Sequence, residues 1–423
     1  MLTAIVGINW GDEGKGRMVD LISQDYGIVC RYQGGNNAGH TVKNDRGEFV
    51  LNLIPSGIFR ENGVSVMGLG MVIDLAHLVG EIYRLREKGI DVTPDNLKIS
   101  DKATIVLPYH VEMDGLEEDR LGDKKQGSTR RGIGPAYSDK YMRKSIRTGD
   151  LLDFGTLRDK LEIVLGYKNV HVHKGYGAAE ISLDETLAWL KKFGGALINN
   201  ITDTGEYLLK AADNGENILF EAQLGALRDI DYGIYPYTSS STTLASYGPT
   251  GAGIPMKRLD KVIGIMKAYS SAVGSGPFTV EMSGDEATEL RRAGNEYGAA
   301  TGRPRRVGAF DVPASRYGVK VQGADEVALT KLDVLSYMDE IPVCVAYNID
   351  GAETTEFPTG DRLERAKPVY IKLPGFKSDI SKCRKPSDLP QAAMDYIRYV
   401  EKAVGCKIKY VSVGANREDY LML

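Results

Sequence analysis

"AIVGINWGDEGKGRMVD", residues 4–20, runs from a continuous apolar segment through a glycine-rich bend into a helical pattern. Ala4 to Ile8 reads as a strand covered on both faces, since such strands are apolar throughout rather than alternating. Glycines around Lys15 then suggest a cradle for phosphate, where backbone N–H groups at a helix start meet an anion. The bend departs from the usual phosphate loop. G-x-x-x-x-G-K-[ST] needs a glycine five residues before the second glycine and a hydroxyl after the lysine. Asn9 stands five residues before Gly14, and Gly16 follows Lys15. A hard oxygen ligand for a divalent cation must therefore come from elsewhere, and Asp12 or Glu13 can supply it. Glu13 reads equally well as part of a solvated acidic turn.

Outward from this loop, apolar runs recur at Thr3–Ile8, Ile28–Tyr32, Phe49–Ile54, Val64–Met67, Thr104–Leu107, Asn217–Phe220, Lys261–Met266, Val327–Thr330, Val343–Tyr347 and Lys409–Val413. Helical patterns lie between them. Residues 74–89 place Leu75, Leu78, Val79, Ile82 and Leu85 on one stripe, with Gly89 to end it. Residues 389–405 do the same with Ala392, Met394, Ile397, Val400 and Val404. The expectation is an α/β fold: one large, mostly parallel central sheet flanked by helices. With no internal repeat and no Pro/Ser linker, residues 1–423 read as a single large domain with long functional loops. The polar, basic segment 121–150 reads as one such loop, at an active site or an interface.

The formal net charge of −4 argues against a general nucleic-acid binder, whose affinity rests on excess Lys and Arg. No apolar run approaches the ~20 residues of a membrane-spanning helix. The N-terminus lacks a basic region and reads as a strand rather than a signal peptide. Cys30, Cys344, Cys383 and Cys406 are scattered without a CxxC pair, so they read as reduced thiols of a cytoplasmic enzyme.

Four further constellations carry chemistry. "TKLD" (330–333) ends a probable strand. Asp333 can accept from both N1–H and the 2-amino group of guanine, and the stem of Lys331 can lie over the base. "QGGNNAGHT" (33–41) is a tight polar loop in which His40 can donate a proton to a leaving phosphate oxygen. "GAATGRPRRVG" (298–308) carries Arg303, Arg305 and Arg306 between glycines, an anion clamp whose forks suit carboxylate and phosphate. "GSTRRGIGPAYSDKYMRK" (127–144) carries Thr129, Arg131 and Arg143, enough to grip another phosphate. Together they point to a GTP site, a second phosphorylated substrate and a carboxylate-bearing one, as in a GTP-driven ligase.

"WGDEGKG", "GGNNAGHT", "RRGIGPAYSDK", "GIYPYTSSS", "ATGRPRR", "TKLDVL" and "SVGANRE" occur in this order from residue 10 to 418. As a set the chain resembles the adenylosuccinate synthetase family over essentially its whole length. The resemblance implies a GTP site like that of P-loop NTPases and the reaction of GTP, IMP and L-aspartate to GDP, phosphate and adenylosuccinate, the committed step from IMP towards AMP. It implies that Asp12 takes the N1 proton of IMP, that O6 attacks the γ-phosphate, and that aspartate displaces phosphate from the 6-phosphoryl intermediate. His40 acts as the acid and Lys15 stabilises the transferring phosphoryl group.

Carried over residue by residue, the IMP site comprises Asp12, Glu13, Gly14, Lys15, Asn37, Ala38, Gly39, His40, Thr129, Arg143, Gln223, Ser239 and Arg303. The aspartate loop comprises Ala299, Ala300, Thr301, Gly302, Arg303 and Arg305. GTP meets Gly11 to Arg17 (Gly11, Asp12, Glu13, Gly14, Lys15, Gly16, Arg17), Gly39, His40, Thr41, Arg305, Lys331, Leu332, Asp333, Ser412, Val413 and Gly414. One Mg²⁺ is held by Asp12 and the Gly39 carbonyl. Arg143 is expected to reach the site of a neighbouring subunit, which implies a homodimer. The chain departs from the family at 220–225, where "FEAQLG" replaces "FEGAQG" and an ungapped match sets Leu224 at the position of the IMP-contacting Gln. Ser239 replaces Thr, Arg130 replaces Gly, and "GAFD" (308–311) replaces a Gly-Trp pattern. A sister ligase acting on dGMP is the nearest rival reading; the retained Asp12 favours IMP.

Overall fold

The computed structural model describes residues 1–44, 46–297, 302 and 304–423. Its centre is a ten-stranded sheet of β1 (Leu2–Gly7), β2 (Ile28–Arg31), β3 (Val64–Met67), β4 (Leu97–Ser100), β5 (Ile201–Thr202), β6 (Ile218–Glu221), β7 (Lys261–Lys267), β8 (Glu326–Thr330), β9 (Lys407–Ser412) and β10 (Tyr420–Met422). The spatial order is β10-β9-β8-β7-β1-β6-β2-β3-β4-β5. β9 and β10 pair antiparallel, and the other neighbours run parallel. β1 is buried along its whole length, between β6 and β7. Its register aligns the carboxyl ends of β1, β6, β7 and β8 on one edge, where ligands of open parallel sheets bind.

Six helices carry or brace the site: α1 (Lys15–Ile22), α2 (Leu75–Glu87), α3 (Pro108–Leu121), α4 (Ile133–Met142), α5 (Phe154–Asn169) and α6 (Gln391–Val404). α2 buries the expected Leu75, Leu78, Ile82 and Leu85, and it also buries Glu81. That carboxylate takes N–H groups of Asn52, Leu53 and Ile54 at 3.0–3.2 Å, which a hydrophobic stripe does not foretell. α6 turns slightly from its expected face. Ala393 and Tyr396 are buried in place of Ala392 and Met394, because the Tyr396 hydroxyl donates to the Ala268 carbonyl at 2.5 Å.

Not every apolar run joins the main sheet. Phe49–Ile54 contributes to a two-stranded hairpin, His40–Asn44 against Gly47–Leu51. Thr104–Ile105 pairs with Val72–Ile73, and Val343–Tyr347 lies within Glu340–Ile349 of a second sheet. Apolarity marks a strand but not its neighbour, which long-range register decides. β4, β5 and β10 are additional, and segment 121–150 is no simple loop, since it contains α4. Side chains of α6, β7, β8 and β9 share one apolar core. α2 and α5 pack with β3 and β4 in another.

Candidate active site

The loop after β1 separates its two carboxylates. Glu13 turns inward. Its Oε1 accepts the N–H groups of Asn9 (3.1 Å) and Gly11 (2.8 Å), and its Oε2 accepts from Lys15 Nζ at 2.6 Å. Both side chains of that ion pair are 2% exposed, so Glu13 is a strut of the loop rather than a solvated turn. Asp12 adopts a left-handed φ of 57°, which turns its carboxylate out of the loop to Arg305 at 3.1 Å. A β-carbon on Gly16 would lie 2.7 Å from His40 Cβ. Close approach of the histidine strand therefore excludes the serine or threonine of an ordinary phosphate loop.

His40 opens the hairpin, with Nδ1 2.5 Å from Glu221 Oε1 at the carboxyl end of β6. Glu221 also accepts the Ser56 N–H and hydroxyl, each at 2.7 Å. Burial pushes the imidazole pKa down against the pull of Glu221. Burial also pushes the Glu221 carboxyl up, but His40, buried Arg31 and the Ser56 N–H together hold it below the ordinary range. Glu221 accepts the Nδ1–H of His40, which fixes the ring and aims Nε2 at a ligand. Sequence reasoning missed Glu221. Its available signal was a charged residue closing a fully apolar run.

Next to it, Gln223, Gln33, Ser241 and Ser239 form one chain of hydrogen bonds. Gln33 Nε2 donates to the Gln223 carbonyl at 2.8 Å, Ser241 Oγ donates to Gln33 Oε1 at 3.1 Å, and the two serine hydroxyls are 3.0 Å apart. The Gln223 amide itself grips Gly35, accepting its N–H at 3.2 Å and donating to its carbonyl at 2.7 Å. Gln223 is thereby a wall of the 33–38 loop. Leu224, at φ 61°, is the residue that lies against Gly11 of the phosphate loop. Asn37 Oδ1 is buried without a hydrogen-bond partner among the described residues, an acceptor suited to a ligand donor. Thr129, Arg131 and Arg143 are exposed, the last at φ 61° just past α4.

Toward β8, Thr330 Oγ1 donates to the Glu13 carbonyl at 2.8 Å and so fastens the "TKLD" turn to the phosphate loop. Asp333 Oδ1 is buried with no partner among the described residues, and burial raises this carboxyl's pKa. Arg17 on α1 donates to Ser412 Oγ (3.2 Å), the Gly414 carbonyl (2.7 Å) and the Asn416 carbonyl (2.7 Å), closing the pocket's far side. Leu332 and Val413 are fully buried.

Between the two ends lies Glu296, a residue no motif drew attention to. Oε1 accepts from Tyr269 OH (2.5 Å), Lys267 Nζ (2.7 Å) and Lys331 Nζ (3.0 Å), and Oε2 from Arg305 at 3.0 Å. Burial pushes Lys267 down to about 8 in spite of this partner. Arg306 leaves the expected clamp. It pairs with Glu281 and donates to the Gly276 carbonyl at 2.7 Å. Gly302 is exposed, whereas Ala299, Ala300, Thr301 and Arg303 lie outside the described residues.

Among the described residues, no cluster of three or more His, Cys, Asp or Glu side chains is placed to hold a metal ion. Mg²⁺ needs less, since one carboxylate with substrate phosphates and water suffices. Asp12, a hard oxygen donor whose side chain is 30% exposed at the mouth of the loop, fits that role.

A model of the family described as adenylosuccinate synthetase matches residues 4–421. The chain belongs to the adenylosuccinate synthetase family. It is 44% identical over 416 residues to the adenylosuccinate synthetase of Streptococcus gordonii, covering 98% of this chain and 96% of that one, and the Streptococcus sanguinis protein matches equally. The fully ligated adenylosuccinate synthetase from Plasmodium falciparum superposes with a TM-score of 0.93 at 36% identity, over 100% of this chain and 99% of that one. A cyanophage S-2L succinoaminodeoxyadenylate synthetase, solved with dGMP and dATP, shares the fold at TM-score 0.63 and 19% identity, over 100% of this chain and 95% of that one. Against the adenylosuccinate synthetase pattern, "FEAQLG" keeps its Glu and Gly at 221 and 225. The differences fall at Ala222, Gln223 and Leu224, of which Gln223 touches the 33–38 loop and Leu224 the phosphate loop.

Proposed function

We propose that these residues carry the family's reaction in one catalytic unit spanning residues 1–423. The enzyme is a GTP-dependent ligase that joins IMP and L-aspartate to give adenylosuccinate, GDP and phosphate. The buried Oδ1 of Asp333, without a partner among the described residues, carries the reading best, because a desolvated acceptor at a strand end is matched by the N1–H and 2-amino group of guanine. The strand bearing it is fastened to the phosphate loop through Thr330.

Asp12 takes the N1 proton of IMP, which leaves O6 nucleophilic toward the γ-phosphate of GTP. Lys15, held by Glu13, and the backbone N–H groups at the start of α1 stabilise the transferring phosphoryl group. His40, oriented by Glu221, donates a hydrogen bond or proton to the oxygen between the phosphates. Phosphate leaves when the aspartate amine attacks C6, with Arg303 and Arg305 on the aspartate carboxylates. Mg²⁺, when bound, neutralises phosphate charge; Asp12 and the Gly39 carbonyl would hold it. Arg305 must first release Asp12, and a substrate carboxylate gives it reason to do so. Thr129 and Arg143 grip the IMP phosphate, with Arg143 supplied by the second subunit of a homodimer. No helix among the described residues is long and apolar enough to cross a membrane. Four free cysteines support a cytoplasmic location.

The test is the absorbance change on adenylosuccinate formation with purified protein, Mg²⁺, GTP, IMP and L-aspartate, with parallel reactions on dGMP or ATP. Turnover with IMP and GTP alone is expected. Turnover with dGMP instead would assign Leu224 to a changed purine pocket, and nucleotide binding without turnover would leave a GTP-binding protein.

A further inference from the structure

A buried carboxylate needs one close cation. Glu296 has three, and they form a graded path outward. The side chain of Lys267 is 3% exposed, that of Arg305 16% and that of Lys331 31%, while Glu296 itself is fully covered. Lys267 and Tyr269 suffice to satisfy Oε1 inside the protein. The other two cations reach to the ligand side. Arg305 continues to Asp12 through its second nitrogen at 3.1 Å, and Lys331 stands two residues before Asp333 with Nζ also donating to the Gly294 carbonyl at 2.6 Å. The Glu296 backbone joins in. Its carbonyl accepts the Arg305 N–H at 2.9 Å, beside a bridge between Tyr297 and Pro304. One residue thus closes the neck of the segment that carries the aspartate-binding positions.

We infer that Glu296 is a positioning residue, its two oxygens holding Lys331 at the guanine end and Arg305 at the aspartate end in one fixed geometry. The inference rests on the function proposed above. Glutamine is nearly isosteric, so packing survives the change Glu296→Gln. Its amide nitrogen, however, turns a donor toward one of two cations. Both arms lose their shared anion, and Lys267 is left to repel them.

The experiment measures steady-state constants of the full-length protein for each substrate, with GDP affinity by calorimetry as an arm independent of turnover. Glu296→Gln should raise KM for GTP and for L-aspartate about tenfold each, the size expected when a charge-assisted hydrogen bond is lost, with KM for IMP changing less than about twofold. GDP binding should weaken by a similar factor. In a cycle with Lys331→Met the effects on GTP should be non-additive, because Glu296 acts through that lysine. Glu296→Asp keeps the charge but is one methylene too short to span both cations. It should raise at least one of the two constants, and it serves if the glutamine variant fails to fold. Unchanged constants for GTP and aspartate, or additivity in the cycle, overturns the inference. GDP binding weakened in the variant while the parent protein never turns over would instead overturn the ligase reading and leave this one standing.

Discussion

The phosphate loop (residues 9–17) and segment 126–143 look alike as sequence: both are rich in glycine and charge. They differ in where the charge goes. In the loop, Glu13 and Lys15 turn inward and satisfy each other at 2% exposure. In segment 126–143, Thr129, Arg131 and Arg143 stay on the surface, and Arg130 pairs with Asp119 rather than with anything in the site. What holds α4 is a separate buried knot, Asp139 with His110 at 2.9 Å, Tyr109 at 3.3 Å and Lys168. One region is completed by its own chain. The other is a mount whose arms remain exposed. Buried charges must find partners within the fold, whereas exposed ones remain available.

Substitutions can break this contrast. The largest effect is expected at Asp12, the one loop carboxylate turned outward. Asp12→Ala should lower kcat by about a thousandfold or more with the fold intact, the scale of losing a general base. Near-normal kcat would remove Asp12 from proton transfer. Asp333→Asn should reverse preference from GTP toward XTP by about a hundredfold, because two hydrogen-bond contacts change sense. Unchanged preference, read from competing kcat/KM values, would take Asp333 out of base recognition. Glu221→Gln should reduce kcat by about tenfold to a hundredfold, as other ring-orienting partners of histidine do, with little change in KM for aspartate. A drop confined to thermal stability would make Glu221 structural only.

Segment 126–143 is tested by mixing. Equal amounts of Asp12→Ala and Arg143→Leu subunits should recover about a quarter of parental activity, since half of randomly paired dimers hold one intact site. No recovery at any ratio would place Arg143 outside the neighbouring site. The smallest expected effect is in pH. Burial raises the Asp333 carboxyl's pKa, and only the carboxylate accepts both guanine donors. Acidification should therefore raise KM for GTP at a higher pH than an ordinary carboxylate would require, and Asp333→Asn should abolish that dependence. A pH-independent KM for GTP in the parent would contradict it.

Legibility followed the range of the interaction. β1, the turn into α1, the "TKLD" box and α2 were readable because local period and loop chemistry determine them. The positions of Asp12, Lys15, His40 and Asp333 could be named from their motifs. The roles of neighbours could not be named. Glu13 and Asp12 are adjacent and chemically alike, yet one is a strut and the other turns out to Arg305 because a left-handed φ at residue 12 turns them apart. Arg306 looked like part of the clamp until Glu281 took it.

By itself, then, the sequence determined an α/β chain, a glycine-rich loop with no hydroxyl after its lysine, a Thr-Lys-Leu-Asp turn at a strand end and a family. Tertiary structure alone decided that Glu221 orients His40 from 181 residues away, that Glu296 gathers Lys267, Arg305 and Lys331, and that Gly16 stands where His40 leaves no room for a side chain. The reason is physical. A motif records what a residue can donate or accept, but its partner is set by which strand ends a parallel sheet brings to one edge, and no short-range pattern encodes that register.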